Sequence, residues 1–267
     1  MVDRHRNPRR STDRRSFLRT VGVGAAGLTA FSGVTRAEEP TRDEIMEQSY
    51  HILEKTGDSE KRRKYLRNHG FGTATDRHQF SFPQKGPGKQ TNLETDDLDI
   101  EINLFVDRDG VYTADLTWYY EWGSWGDSGD PPVDIAGVGW DSDWWDYEDY
   151  NLEESTHNSG DGVSYRDGTS GSGPAFDVDD YNLFRYGDDG PHYFSVDIVP
   201  KGDYESDERR IQGAYSHTWE SVDINGVSVG YPSGVSVTVG NSSKEWTTDT
   251  EKDGSTLLRL QQRQAMA

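Results

Sequence analysis

Six of the eight tryptophans, Trp118, Trp122, Trp125, Trp140, Trp144 and Trp145, fall between positions 118 and 150, with Tyr147 and Tyr150 beside them. From Asp127 onward eight acids are interleaved: Asp127, Asp130, Asp134, Asp141, Asp143, Asp146, Glu148 and Asp149. Indoles stack on sugar rings and carboxylates accept hydroxyl protons, so this composition suits a carbohydrate-binding platform. It equally describes a core short of aliphatic side chains that is filled with indoles instead, its acids solvated in loops. Trp118 is core under either reading, because it lies on the apolar face of a strand. The candidate binding residues are Trp122, Trp125, Trp144 and Trp145. The first two sit in the glycine-containing stretch Glu121-Trp-Gly-Ser-Trp-Gly126. Trp144 and Trp145 are adjacent, so an extended strand points them to opposite faces and leaves one to face outward. A glycosidase needs two carboxylates held ~5–9.5 Å apart, and eight acids nominate no pair.

Other constellations are weaker. Asp107-Arg-Asp-Gly110 and Asp177-Val-Asp179-Asp180 resemble the opening of a calcium loop, but both depart from its spacing and neither has the closing Glu. No metal and no cofactor is expected. The chain has no cysteine, and the histidines that follow the first 37 residues, at 51, 69, 78, 157, 192 and 217, are scattered, which disfavours zinc. His217 alternates with Tyr215 and Trp219 on a strand, with Glu220 and Asp223 following. That could make it a hydrolase base, yet no Gly-x-Ser-x-Gly elbow occurs, and a histidine bonded within the sheet accounts for it as well. Asn241-Ser-Ser243 is the single glycosylation sequon.

The elements that must position these residues are mostly strands. Thr41-Arg-Asp-Glu44 reads as a capping box ahead of an amphipathic helix that Gly57 ends, and a second helix starts at Ser59 and stops at Gly70. Residues 71–96 are polar, with Pro83, Gly86, Pro87 and Gly88, and read as a linker or a loosely packed lead-in to a strand. From Leu98 the period becomes two. Leu98, Ile100, Ile102, Leu104 and Val106 share one face, Asp107–Gly110 turns the chain, and Tyr112, Ala114, Leu116, Trp118 and Tyr120 line the returning strand. Four more strands are read over 193–199, 211–219, 222–229 and 235–239, with glycine-, serine- and aspartate-rich loops at 123–131 and 158–174. No helical stretch separates the strands, so the expected fold is mainly β: an antiparallel β-sandwich over 97–260, preceded by a short helical pair at 38–70 and followed by a tail at 261–267.

The first 37 residues hold eight arginines, no lysine and two acids. Within them Asp13-Arg14-Arg15-Ser16-Phe17-Leu18-Arg19 precedes a mildly apolar run from Val21 to Val34, which ends in Thr35-Arg36-Ala37. A basic start, an apolar centre and a small residue before a polar stretch form the pattern of a cleaved export signal, with cleavage expected after Ala37. The run is too short to span ~30 Å of hydrocarbon. Arg14-Arg15-Ser16-Phe17-Leu18 resembles the twin-arginine signal family, although Asp13 stands where Ser or Thr is usual and Arg19 where Lys is common. That resemblance implies export of folded cargo and a secreted, extracellular protein. Without cysteine, neither a lipid anchor at the cleavage site nor a disulfide framework is expected. No second apolar stretch follows, so no membrane span is expected once the signal is removed.

The whole chain carries 28 basic and 48 acidic side chains; without the eight arginines and two acids of the signal, 20 face 46, a net charge of −26. Such a field repels nucleic acid and anionic lipid. Leu, Ile, Val and Phe make up about 18% of the chain, a level that with high charge usually accompanies disorder. The 12% aromatic content and the clean alternation argue for a folded domain instead. Acid excess without acidic runs is similar to the style of secreted haloarchaeal proteins, in which molar salt screens the self-repulsion. That resemblance implies an origin and no activity; a calcium-dependent or merely soluble secreted protein would also be acidic. The expected function is non-catalytic binding of an extracellular ligand, carbohydrate or protein, with a secreted polysaccharide hydrolase as the alternative.

Overall fold

A computed structural model describes residues 39–80, 98–120, 134–149, 152, 156–160, 162–166, 172–179, 190–218, 224–230, 234–239, 245–247 and 258–266. Arg14, Arg15, Ala37, Trp122, Trp125, Trp219 and Asn241 lie outside the described residues.

Helix α1, Arg42–Thr56, starts as its sequence dictates. The Thr41 hydroxyl accepts from the Glu44 amide, and the Glu44 carboxylate accepts from the Thr41 amide at 2.8 Å. Gly57 ends the helix at φ 62°, a left-handed conformation that glycine adopts without a Cβ penalty. Helix α2, Ser59–Asn68, is capped by the Asp58 carboxylate, which accepts from the Glu60 and Lys61 amides.

The remaining chain is a β-sandwich with both outer faces covered. Strands β1 (Gly72–Phe80), β2 (Leu98–Val106), β3 (Tyr112–Tyr120), β9 (His192–Pro200) and β5 (Trp145–Tyr147) form the first antiparallel sheet in that order, and β6 (Thr156–Asn158) also pairs with β9. The second sheet runs β13 (Glu245–Thr247), β10 (Arg210–Thr218), β4 (Asp134–Trp140), β8 (Ala175–Val178), β7 (Val163–Arg166), with β14 (Leu258–Gln261) also on β10. Strands β11 (Ile224–Gly230) and β12 (Gly234–Val239) pair with each other. Val229 of β11 packs on Ile135, Ala175 and Ala214, the outer side of the second sheet.

The expected hairpin is present in full register, from Leu98 opposite Tyr120 to Val106 opposite Tyr112. Leu98, Ile100, Ile102, Leu104, Ala114, Leu116 and Trp118 point between the sheets and are all but inaccessible there. Trp118, Trp140 and Trp145 are also wholly buried, and each contributes roughly 4–6 kcal/mol of transfer free energy at ~25 cal/mol per Å².

Three readings of the sequence are corrected. Residues 72–80 of the stretch read as a linker form β1, which pairs with β2 along its whole length. The partner decides this, because β1 itself buries only Ala74 and Phe80. The stretch 158–174, read as loop, contains β7. The stretch 261–267, read as a tail, contains helix α3, Gln262–Ala265, with Ala265 fully buried. A Cβ on Gly72 would meet the Ala265 carbonyl oxygen at 1.8 Å, so the bare backbone at Gly72 is what lets α3 close against β1.

The polar face of the first sheet is also buried. Glu101, Asn103, Thr113, Asp115, Thr117 and Ser195 are each at most 1% exposed. The α1–α2 hairpin covers them and meets them with arginines. Arg62 Nη1 donates to Asp115 Oδ2 at 3.0 Å with both side chains buried, and Asn103 and Thr117 donate to the other Asp115 oxygen. Arg63 bonds Glu101. Arg42 reaches Asp107 and Asp197, each at 2.7 Å, and Thr113 at 2.8 Å. Burial raises the Glu101 carboxyl above the usual carboxylate range; Arg63 opposes the shift and Asp115 reinforces it. For Arg42, burial works against the charge, but the bonds to Asp197 and Asp107 outweigh it and raise the guanidinium.

Candidate functional site

Asp134 opens β4 and is 1% exposed. On the neighbouring strand β10, Tyr215 and His217 project from one face, as their alternation requires. The Tyr215 hydroxyl donates to Asp134 Oδ2 at 2.6 Å, and His217 Nδ1 lies 2.9 and 3.1 Å from the two carboxylate oxygens. A carboxylate only accepts, so Nδ1 carries the hydrogen. From the opposite sheet the Tyr120 hydroxyl, at the end of β3, reaches the Tyr215 hydroxyl at 2.6 Å. Tyr215 has committed its own hydrogen to Asp134, so Tyr120 donates. The result is a directed chain, Tyr120 to Tyr215 to Asp134, with His217 as the second donor, and it ties the two sheets together at one end of the sandwich.

Aromatic rings wall this network. The Tyr215 ring centre lies 5.8 Å from that of Trp118, and His192 lies 6.1 Å from Trp118 and 5.7 Å from Tyr120. His192 starts β9 opposite Trp118 and is 2% exposed.

The network stands at both feet of the tryptophan-bearing segment. Residues 121–133, which include Trp122 and Trp125, leave the first sheet at Tyr120 and enter the second at Asp134. Trp144 and Trp145 belong elsewhere. They follow the other end of β4, about 20 Å along the strand at ~3.4 Å per residue, so they do not share a face with those feet. Trp145 as a binding residue is corrected: it is wholly buried, with its indole nitrogen donating to the Arg210 carbonyl at 3.2 Å and its ring edge-on to Tyr112. It opens β5 with its side chain inward, which leaves Trp144 half-buried against the core. The Trp144 carbonyl accepts from the Lys201 amide and from Arg209, whose guanidinium also meets the carbonyls of Lys201, Gly202 and Tyr204 and the Gln262 side chain.

Neither calcium-like motif forms a cradle in its described part. Asp107 Oδ1 accepts from the Asp109 and Val111 amides as an ordinary turn, and Asp177 is bonded by Arg166 at 3.2 Å. Burial raises the Asp177 carboxyl, and Arg166 partly offsets it. Among the described residues no cluster of three or more His, Cys, Asp or Glu side chains could hold a metal ion.

Tyr120, Tyr215 and His192 were not legible as site residues, and Asp134 was one acid among eight. Tyr215 and His217 alternate visibly, but the carboxylate they share lies 81 and 83 positions away in sequence.

No protein-family model matches the chain, and no curated protein matches it. Among solved structures it is similar to the T6 backbone pilin of serotype M6 Streptococcus pyogenes, a modular three-domain protein, at 8% identity. That match covers 66% of this chain and 35% of the pilin chain with a TM-score of 0.27, a likeness too slight to carry an argument.

Proposed function

We propose that this is a secreted, salt-adapted β-sandwich that binds an extracellular ligand without transforming it, through the segment 121–133. One observation carries the reading: Tyr215 bonds both feet of that segment, Tyr120 directly and Asp134 directly. Loops held on a rigid scaffold are where binding residues concentrate, and Trp122 and Trp125 supply the flat apolar faces that sugar rings stack on. Among the described residues no helix is long and apolar enough to cross a membrane.

Capture of the mature protein on chitin, cellulose and starch in molar salt, with a soluble glycan array beside it, tests the reading. Trp122→Ala with Trp125→Ala should lower capture at least about tenfold, the equivalent of ~1.4 kcal/mol. Tyr215→Phe keeps the ring, removes the Tyr215 hydroxyl bond to each foot and should weaken capture with the fold intact. Capture unchanged in both variants would refute the assignment of this segment.

A second reading rests on the Asp134–His217 pair, because a carboxylate on Nδ1 is the arrangement that orients a histidine base. Release of reducing sugar from the same polysaccharides, abolished by His217→Gln, would favour the hydrolase. Export through the twin-arginine route is tested separately. Arg14→Lys with Arg15→Lys should leave precursor inside the cell, while the parent appears outside beginning at Glu38; normal export of the double variant excludes that route.

A further inference from the structure

We infer that residues 41–69 form a strap that undocks as a unit from a sandwich that stays folded. The core between the sheets contains no residue of this segment. The strap has its own small apolar cluster, Ile45, Met46, Tyr50, Leu53 and Leu66, which borrows only Phe71, Phe105 and Tyr193 from the rest of the chain. Lifting it therefore opens no cavity between the sheets.

The surface beneath the strap is mainly polar, Glu101, Asn103, Asp115, Thr117 and Ser195, with Phe105 and Tyr193 as its apolar part. A face of that composition is as well satisfied by water as by protein, so the sandwich does not need the strap to remain folded. Docking instead takes charges out of water. Arg62 is 1% exposed, its Nη1 meets Asp115, and its guanidinium carbon lies 4.4 Å from the Tyr50 ring centre and 4.8 Å from that of Phe105. Its Nη2 makes no hydrogen bond to any described residue. Desolvating an ion pair offsets most of its attraction, and a donor left without a partner adds to the deficit. The Arg62–Asp115 pair therefore adds little to docking, which rests on the small apolar cluster and on the contacts of Arg42 and Arg63. The segment is bounded for such a motion, since Gly70, with φ 87°, follows α2 before β1 begins.

The absence of cysteine makes the test clean. Ser49, a buried residue of the strap, and Ala136, buried between the sheets, are replaced in separate mature chains by S49C and A136C, and thiol labelling is timed in molar salt. Local opening predicts that S49C labels at least roughly a hundredfold faster than A136C. Adding Arg62→Met, which strands Asp115 without its partner, should speed S49C labelling about tenfold more and leave A136C labelling and the melting of the sandwich unchanged. Equal labelling of S49C and A136C in the otherwise unaltered chain would overturn the proposal, because the segment would then open only with global unfolding. Failure of the Arg62→Met chain to fold, or acceleration of both sites alike, would overturn it too.

Discussion

Dialysis of the mature chain from molar to millimolar salt is expected to abolish its β circular-dichroism signal. At 1 M salt the Debye length is ~3 Å and neighbouring surface acids barely interact; at 0.01 M it is ~30 Å, comparable to the whole domain, and every acid feels the others. With 46 acids against 20 bases, the repulsion that returns on dilution far exceeds what isolated surface ion pairs recover, at about 0–1 kcal/mol each. The arginine pairs of the strap do not rescue the fold. Arg62–Asp115 is buried and largely insensitive to salt, and pairs such as Arg67–Glu60 lie at the surface. A spectrum unchanged in dilute buffer would mean that the acidity is no salt adaptation, and would favour the merely soluble secreted protein.

Trp145→Ala is expected to destabilise the fold by about 3–5 kcal/mol, as a large-to-small change deep in a core does. The indole is wholly buried, packs edge-on to Tyr112 with ring centres 5.1 Å apart, and its nitrogen bonds the Arg210 carbonyl. Truncation leaves a void and removes the indole donor from the Arg210 carbonyl. Trp144→Ala, one residue earlier, should lower stability by no more than about 1–2 kcal/mol, because that ring is only partly buried at the edge of the core. Urea unfolding in molar potassium chloride measures both. Comparable midpoints for the two variants would contradict the assignment of Trp145 as fully buried core and Trp144 as its partly buried neighbour.

The neighbouring pair illustrates what sequence reasoning can reach. Adjacency in an extended strand would point Trp144 and Trp145 opposite ways, since successive side chains alternate, but Trp144 stands in the turn that precedes β5. Adjacency does not say which is inside, because that depends on the side of β5 on which the second sheet lies. The same limit applied to β1. Its alternation is faint, and its identity as a strand comes from nine residues of pairing with β2. Strand β4, buried at every position and with two glycines in seven residues, carries no period-two signal and was not foreseen as a strand.

The sequence by itself determined the helical pair, the central hairpin and the β class, because capping boxes, left-handed glycines and period-two alternation are properties of neighbouring residues. Tertiary structure alone decided that the polar face of the first sheet lies under an arginine-bearing strap, that one carboxylate among eight acids meets Tyr215 and His217, and that Trp145 is core. Each of these depends on which strand lies beside which and on which end of the sandwich a segment leaves from. Those pairings join residues some 50 to 80 positions apart, such as Arg62 with Asp115 and Tyr215 with Asp134, and no local pattern encodes them.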